Sequence, residues 1–228
     1  MDVRGVLFDV AGTLAMPEDR DAWLAGAAAS LGLAPPDDAA TLAAELERVG
    51  RPGGPYPATV PDALLDIYNN RDAGPQAHRA AYAGLLATAP SLPDPRLATA
   101  LYERILAPEG WVAYPDAAPA LAALREGGVR IAAVSNVGFD LRPVLAGLGL
   151  LDHLDAIVLS YEVGAVKPAP RIFAAACTAL GVAPAEALMV GDHALADGGA
   201  ADAGIRTLLI PMSAAGEPHG LDAVLRLV

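Results

Sequence analysis

Four polar residues of this 228-residue chain stand where open α/β proteins do chemistry. Asp9, Ser135 and Asp192 each lie at the carboxyl end of an apolar run that reads as a β-strand. The fourth, Lys167, precedes Pro168 and is the only lysine among 15 basic residues, the others being arginines. In open α/β sheets ligands bind in the crevice outside the carboxyl ends of the strands. A single aspartate after a strand is ordinarily a turn or a helix cap. Three such strand ends together with one ammonium point instead to a site. An ammonium is a compact charge that a guanidinium does not replace, although a composition biased toward arginine would also leave one lysine by chance. The formal net charge is −12. A metal ion, one cation and backbone amides can still reverse the local sign and admit a small anion.

These residues need a parallel sheet to hold them. Residues 5–10 form a short apolar run that stops at Ala11-Gly12-Thr13, as a buried strand does at a tight turn. From residue 114 onward strands and helices alternate. Strands are predicted at 129–134, 156–159, 187–190 and 207–210, and helices at 116–126, 139–148, 171–180, 196–203 and 221–227, with Asp116 as the cap of the first. Continuous apolar strands between helices imply a sheet covered on both faces. Residues 21–106 read differently. Alanine- and leucine-rich segments at 21–31, 37–49, 62–70, 76–86 and 95–106 predict helices, with a Pro/Gly loop at 51–61 and no strand. The expected fold is therefore α/β: a Rossmann-like, parallel-sheet, three-layer core from 1–15 and 108–228, with an all-helical cap inserted at 16–107.

Composition narrows the function classes. Hydrophobic residues make up 54% and charged residues 18%, which excludes a disordered chain. A single cysteine, Cys177, permits no internal disulfide and fits a reducing compartment. No apolar run approaches the ~20 residues of a membrane helix, and the amino terminus lacks the pattern of a signal peptide. A cytoplasmic protein is expected, with no membrane partner. The acidic charge argues against nucleic acid, which selects clustered Lys/Arg.

The ordered segments FDVAGTL, VSNVG, VKPAP and GDHALADGGAADAG resemble the four motifs of the haloacid dehalogenase-like hydrolase superfamily, and the helical stretch resembles that family's cap. The resemblance covers the whole α/β part. It implies an Mg²⁺-dependent phosphatase, or one of the minority dehalogenases, phosphonatases and phosphomutases, acting on a small phosphorylated molecule. It assigns Asp9 as the nucleophile and Asp9, the carbonyl of Ala11 and Asp192 as metal ligands, with Asp197 in support. It makes Ser135 and Lys167 the groups on the phosphoryl oxygens, Lys167 also neutralising the nucleophile. Thr13 and Asn136 join them on the substrate side, Thr13 bracing the first loop and Gly12 turning it.

One position departs from the family pattern. Its phosphatases carry an aspartate two residues after the nucleophile, where it protonates the leaving group and then activates water. Here that residue is Ala11, and general acid–base help is typically worth about 10²–10⁴-fold. His193, beside Asp192, is the nearest candidate substitute, a solvent-facing histidine being its plainer reading. A phosphonatase would need a cap lysine, and the cap has none. A 2-haloacid dehalogenase needs no such acid but ordinarily lacks the acidic pair of the last motif, which Asp192 and Asp197 supply. A degraded member that only binds a phosphorylated ligand or a partner stays open. Trp23, Tyr56, Tyr68, Arg20, Arg51 and Arg71 are the cap residues available to set specificity, each of which could equally pack inside the cap.

Overall fold

The computed structural model describes every residue except Met1, Pro35 and Ala215. Seven strands lie in two sheets: β1 (Gly5–Phe8), β2 (Ala15–Pro17), β3 (Trp111–Ala113), β4 (Arg130–Ser135), β5 (Ala156–Leu159), β6 (Ala187–Gly191) and β7 (Arg206–Leu209). Five of them form one parallel sheet in the order β5-β4-β1-β6-β7. β1 is thus central, flanked by the two strands whose ends carry Ser135 and Asp192. Alternation along β1 sends Val6 and Phe8 to one face and Leu7 to the other.

The helices are α1 (Arg20–Ser30), α2 (Ala39–Gly50), α3 (Asp62–Asn69), α4 (Pro75–Leu86), α5 (Pro95–Ile105), α6 (Ala117–Glu126), α7 (Arg142–Gly147), α8 (Ser160–Val163) and α9 (Pro170–Leu180). α6 and α7 bury Leu121, Leu124, Val144 and Leu145 with Val6, Phe8 and Val190 on one face. α9 buries Ile172, Phe173 and Ala176 with Leu7, Val134 and Met189 on the other. These are the three layers expected of apolar strands with no polar face.

Helices α1 to α5 form the inserted cap, with two apolar clusters of its own. One joins Trp23, Leu24, Leu46 and Leu101, and the other Tyr68, Tyr82, Leu85 and Tyr102. Local signals start two of these helices. Asp19 accepts the amides of Asp21 and Ala22, and Asp94 accepts that of Arg96 ahead of Pro95. The cap contains no strand among the described residues. The sequence reading missed the antiparallel ribbon of β2 with β3, three residues each, that closes the two chain crossings between core and cap.

Other expectations need correction. Residues 198–203 and 221–226 are 3₁₀ turns and not α-helices. Gly198-Gly199 opens the first, where backbone entropy disfavours a helix. The helix expected at 139–148 is shortened to α7, because 139–141 continue the loop after β4. Asp116 does not cap α6. Its carboxylate accepts the amides of His219, Gly220 and Leu221, tying the carboxyl-terminal turn to the core.

Candidate active site

The end of β1 places the first candidate residue, Asp9. The Asp9 amide donates to the Val190 carbonyl at 2.9 Å, prolonging the ladder by one residue, and the chain then turns back. The amides of Leu14 and Ala15 both return to the Val10 carbonyl at 3.0 Å. Gly12 makes this turn with φ +91°, and a Cβ there would lie 2.6 Å from the Asp192 carboxylate. Only glycine accommodates both the backbone and the neighbour. β6 delivers Asp192 next to Asp9, and Gly191 has no side chain because the Asp197 carboxylate fills that space.

Lys167 links the site. Its Nζ donates to Asp9 Oδ1 at 2.6 Å and to Asp197 Oδ1 at 2.7 Å, with all three residues buried. Asp197 Oδ2 accepts the His193 amide at 2.9 Å. Asp9, Asp192 and Asp197 each present an oxygen within 4.8 Å of the others. Burial raises the Asp9 carboxyl to about 7; Lys167 pulls it down, while Asp197 and Asp192 add to the rise. Asp192 is raised by its burial and by Asp197. Three carboxyl groups thus face one ammonium, a formal surplus of two negative charges when all three are ionised. Hard oxygen donors around such a surplus suit a small divalent cation such as Mg²⁺, and its charge would reverse the upward shifts.

The remaining expected residues are distributed unevenly. Ala11 lines the cleft next to Asp9. Ser135 is buried at the end of β4 and is not among the residues that line the cleft. Thr13 is fully buried behind the cleft wall, its hydroxyl unpartnered among the described residues. Asn136 turns its side chain to the backbone of Lys167. Its Oδ1 accepts the Lys167 amide at 2.7 Å, and its Nδ2 donates to the Lys167 carbonyl at 2.9 Å. Asn136 lines the cleft, and its side-chain amide is bonded to the backbone of the residue carrying the ammonium. His193 is exposed at the rim, with its Nδ1 accepting the Ala196 amide at 3.1 Å.

The sequence reading missed the brace of the loop after β4. Ser160 Oγ accepts the Val137 amide at 2.9 Å and donates to the Val137 carbonyl at 3.0 Å. A signal existed, since Ser160 directly follows strand 156–159 just as Ser135 ends its own. Gly138 was also missed. A Cβ there would lie 2.5 Å from the Arg71 carbonyl and 2.6 Å from His78 Cβ, so this glycine lets the cap sit on the core.

Between cap and core lies a cleft of about 820 Å³ with Asp9, Lys167 and Asp192 among its lining. Val137, Phe139 and Trp111 contribute apolar wall from the core side. From the cap come Arg20, Arg51, Tyr56, Tyr68 and Arg71, as the sequence allowed, together with Asp72, His78 and Tyr82, which it did not single out. Trp23 is excluded. It is fully buried inside the cap and donates Nε1–H to the Leu101 carbonyl at 2.9 Å. Among the described residues no helix is long and apolar enough to cross a membrane.

Comparison with known proteins agrees with this architecture. A phosphoserine phosphatase of Thermus thermophilus is 44% identical over 99 residues, 42% of this chain and 40% of that enzyme. The haloacid dehalogenase-like hydrolase domain-containing protein 3 of Mus musculus is 38% identical over 131 residues, 57% of this chain and 50% of that protein. The matches thus span half or less of these curated relatives. Among solved structures, a dehalogenase with an intermediate complex superposes with TM-score 0.70 at 25% identity, over 100% of this chain and 98% of that one. The family model of haloacid dehalogenase-like hydrolases matches residues 3–204. With the parallel core, the inserted helical cap and that match across most of its length, the chain belongs to the haloacid dehalogenase-like hydrolases.

Proposed function

We propose that this hydrolase is a phosphatase that transfers the phosphoryl group of a small phosphorylated molecule to Asp9 and then to water. The observation that carries the reading is the charge surplus on the cleft floor, where Asp9, Asp192 and Asp197 face the single ammonium of Lys167. A 2-haloacid dehalogenase reaction displaces halide from carbon and has no need of that surplus. The phosphatase names of several relatives, the Thermus phosphoserine phosphatase among them, agree with it.

Asp9, Asp192 and the carbonyl of Ala11 would hold Mg²⁺, with Asp197 alongside. When bound, the ion supplies charge neutralisation for an anionic phosphoryl group. The residues of the chain do the rest. Lys167 screens the Asp9 carboxylate so that it can approach a phosphate anion, and Asp197 and Asn136 fix the position of Lys167. The Ser135 hydroxyl, at the end of β4, donates to a phosphoryl oxygen. An Asp9 oxygen attacks phosphorus, and the P–O bond to the leaving group breaks. The leaving oxygen keeps the electron pair and takes a proton from solvent, because Ala11 has none to give. Water then attacks phosphorus and gives a proton to solvent, the Asp9 oxygen keeps the electron pair of the breaking P–O bond, and inorganic phosphate departs. The cap closes the cleft from above and limits water.

Phosphate esters and 2-haloacids, each with and without Mg²⁺, test the reading. Mg²⁺-dependent release of phosphate is expected in wild type and its loss in Asp9→Asn. Isothermal titration is expected to show markedly weaker Mg²⁺ binding in Asp192→Asn. Halide release without phosphate release would replace the reading by a dehalogenase, and binding of a phosphorylated ligand without turnover would replace it by a degraded member.

A further inference from the structure

The cap side of the cleft carries a guanidinium whose donors are only partly used. Arg71 stands in the 3₁₀ turn Arg71–Ala73 between α3 and α4 and lines the same cleft as Asp9 and Lys167. Its Nη1 donates to the Tyr68 carbonyl at 3.0 Å, and its guanidinium lies over the Tyr68 ring at 4.3 Å. Asp72 is its one carboxylate neighbour among the described residues, 3.9 Å from Nε and beyond hydrogen-bond distance. Both side chains keep partial access to solvent, at 21% and 18%. The other cap guanidiniums of the cleft are engaged differently. Arg20 donates to Glu47 at 3.3 Å. Arg51 is buried, turned onto the Glu18 carbonyl and the Trp23 ring, with its Nε shut away from the cleft and unpartnered among the described residues.

A fork oriented by a carbonyl, an aromatic face and the Tyr82 hydroxyl, with no carboxylate bonded to it, keeps donors for a planar oxyanion. Tyr68 and Tyr82 flank it and His78 packs against Tyr82, so apolar ring surface borders the guanidinium on the cap side. We propose that Arg71 is a specificity-determining residue that binds a carboxylate carried on the leaving-group side of the substrate. The proposal rests on the phosphoryl site being the Asp9 end of the same cleft. Asp72 offsets the guanidinium charge when the cleft is empty and competes with the incoming anion.

The test uses binding, which needs no turnover. A length series of ω-phosphonoalkanoates is titrated in Mg²⁺ beside alkylphosphonates of equal length. Wild type is expected to prefer the carboxylated member at one or two chain lengths by about 10- to 100-fold, the range of a charged hydrogen bond. Arg71→Met is expected to abolish the preference, and Asp72→Asn to increase it. These opposite signs would not follow from a merely structural role. Wild type binding both series equally, or neither, overturns the proposal. So does a preference that survives Arg71→Met, or one that falls in Asp72→Asn. A preference obeying both variants in a protein without Asp9-dependent hydrolysis would sink the phosphatase reading and leave Arg71 assigned.

Discussion

On the cleft floor Lys167 reaches Asp9 at 2.6 Å and Asp197 at 2.7 Å, whereas on the cap wall Arg71 stands 3.9 Å from Asp72. The floor charges are buried and project from strand ends and the loops that follow them. Their neighbours are over-determined: Asn136 holds the Lys167 backbone, and Gly12 and Gly191 make room for the carboxylates. The wall charges are partly open to solvent and sit in a single turn between two helices. Groups packed into the sheet layers keep one geometry, because every shift there costs packing contacts. Groups on a turn of the cap can exchange partners. The contrast separates a fixed chemical end from a recognition end that can respond to its ligand.

Lys167→Met tests the floor most severely. It leaves Asp9 and Asp197 facing each other without an ammonium, and removing one partner of a buried charge network costs about 3–5 kcal/mol. Urea denaturation is expected to show that loss, together with a fall of turnover to background. On the wall, Arg71→Met is expected to cost below about 1 kcal/mol, since partly exposed pairs contribute little. Equal losses in the two variants would erase the contrast.

Ala11→Asp sharpens the chemistry of the floor. Ala11 lines the cleft beside Asp9, so a carboxyl there adds a proton donor at the leaving group. Turnover of alkyl phosphates is expected to rise by up to about 10²–10⁴-fold, with little change for p-nitrophenyl phosphate, whose leaving group needs no proton. A uniform rise or no rise for both would show that protonation is not what limits the wild type.

Gly138→Ala probes the joint between the two regions. The new methyl would meet the Arg71 carbonyl and His78 Cβ, and overpacking costs typically about 1–3 kcal/mol. Cleft-dependent measurements, KM above all, should suffer with Gly138→Ala, while Mg²⁺ binding by titration should hold.

A last prediction concerns pH. His78 is buried in the cap against Tyr82, Tyr102 and Phe139, and its Nδ1 shares a 3.0 Å hydrogen bond with the Tyr102 hydroxyl. Burial, with the Arg71 charge adding, lowers it from 6.5 to about 3. Between those values the unfolded chain binds the proton and the folded chain does not, so stability falls as pH drops from about 6.5 toward 3. The slope from this group is at most about 1.4 kcal/mol per pH unit. Thermal unfolding of His78→Gln is expected to show a flatter dependence across that window. An unchanged slope would mean that His78 carries no such penalty.

Particular residues show how far the sequence could be read. The five cap helices appear within two residues of the expected bounds at either end, because each is long enough for its apolar period and its stop signals to act. The β2–β3 ribbon left no such trace, since three-residue strands almost a hundred residues apart have no period to detect. Ser160 and Gly138 gave only weak local signals, and their importance lies in partners that the chain order does not indicate.

The sequence by itself determined the identity and order of the candidate site residues. Asp9, Ser135 and Asp192 end parallel strands, and a strand end is a local property of an apolar run meeting a turn. Their convergence follows once β4 and β6 flank β1. Only the tertiary structure decided that Asn136 serves Lys167, that Trp23 is cap core and that Arg71 faces the cleft. Those outcomes depend on how amphipathic helices rotate and dock against the loop after β4. Docking is governed by contacts between residues distant in the chain, and composition and spacing do not specify which of several exposed side chains it will turn inward.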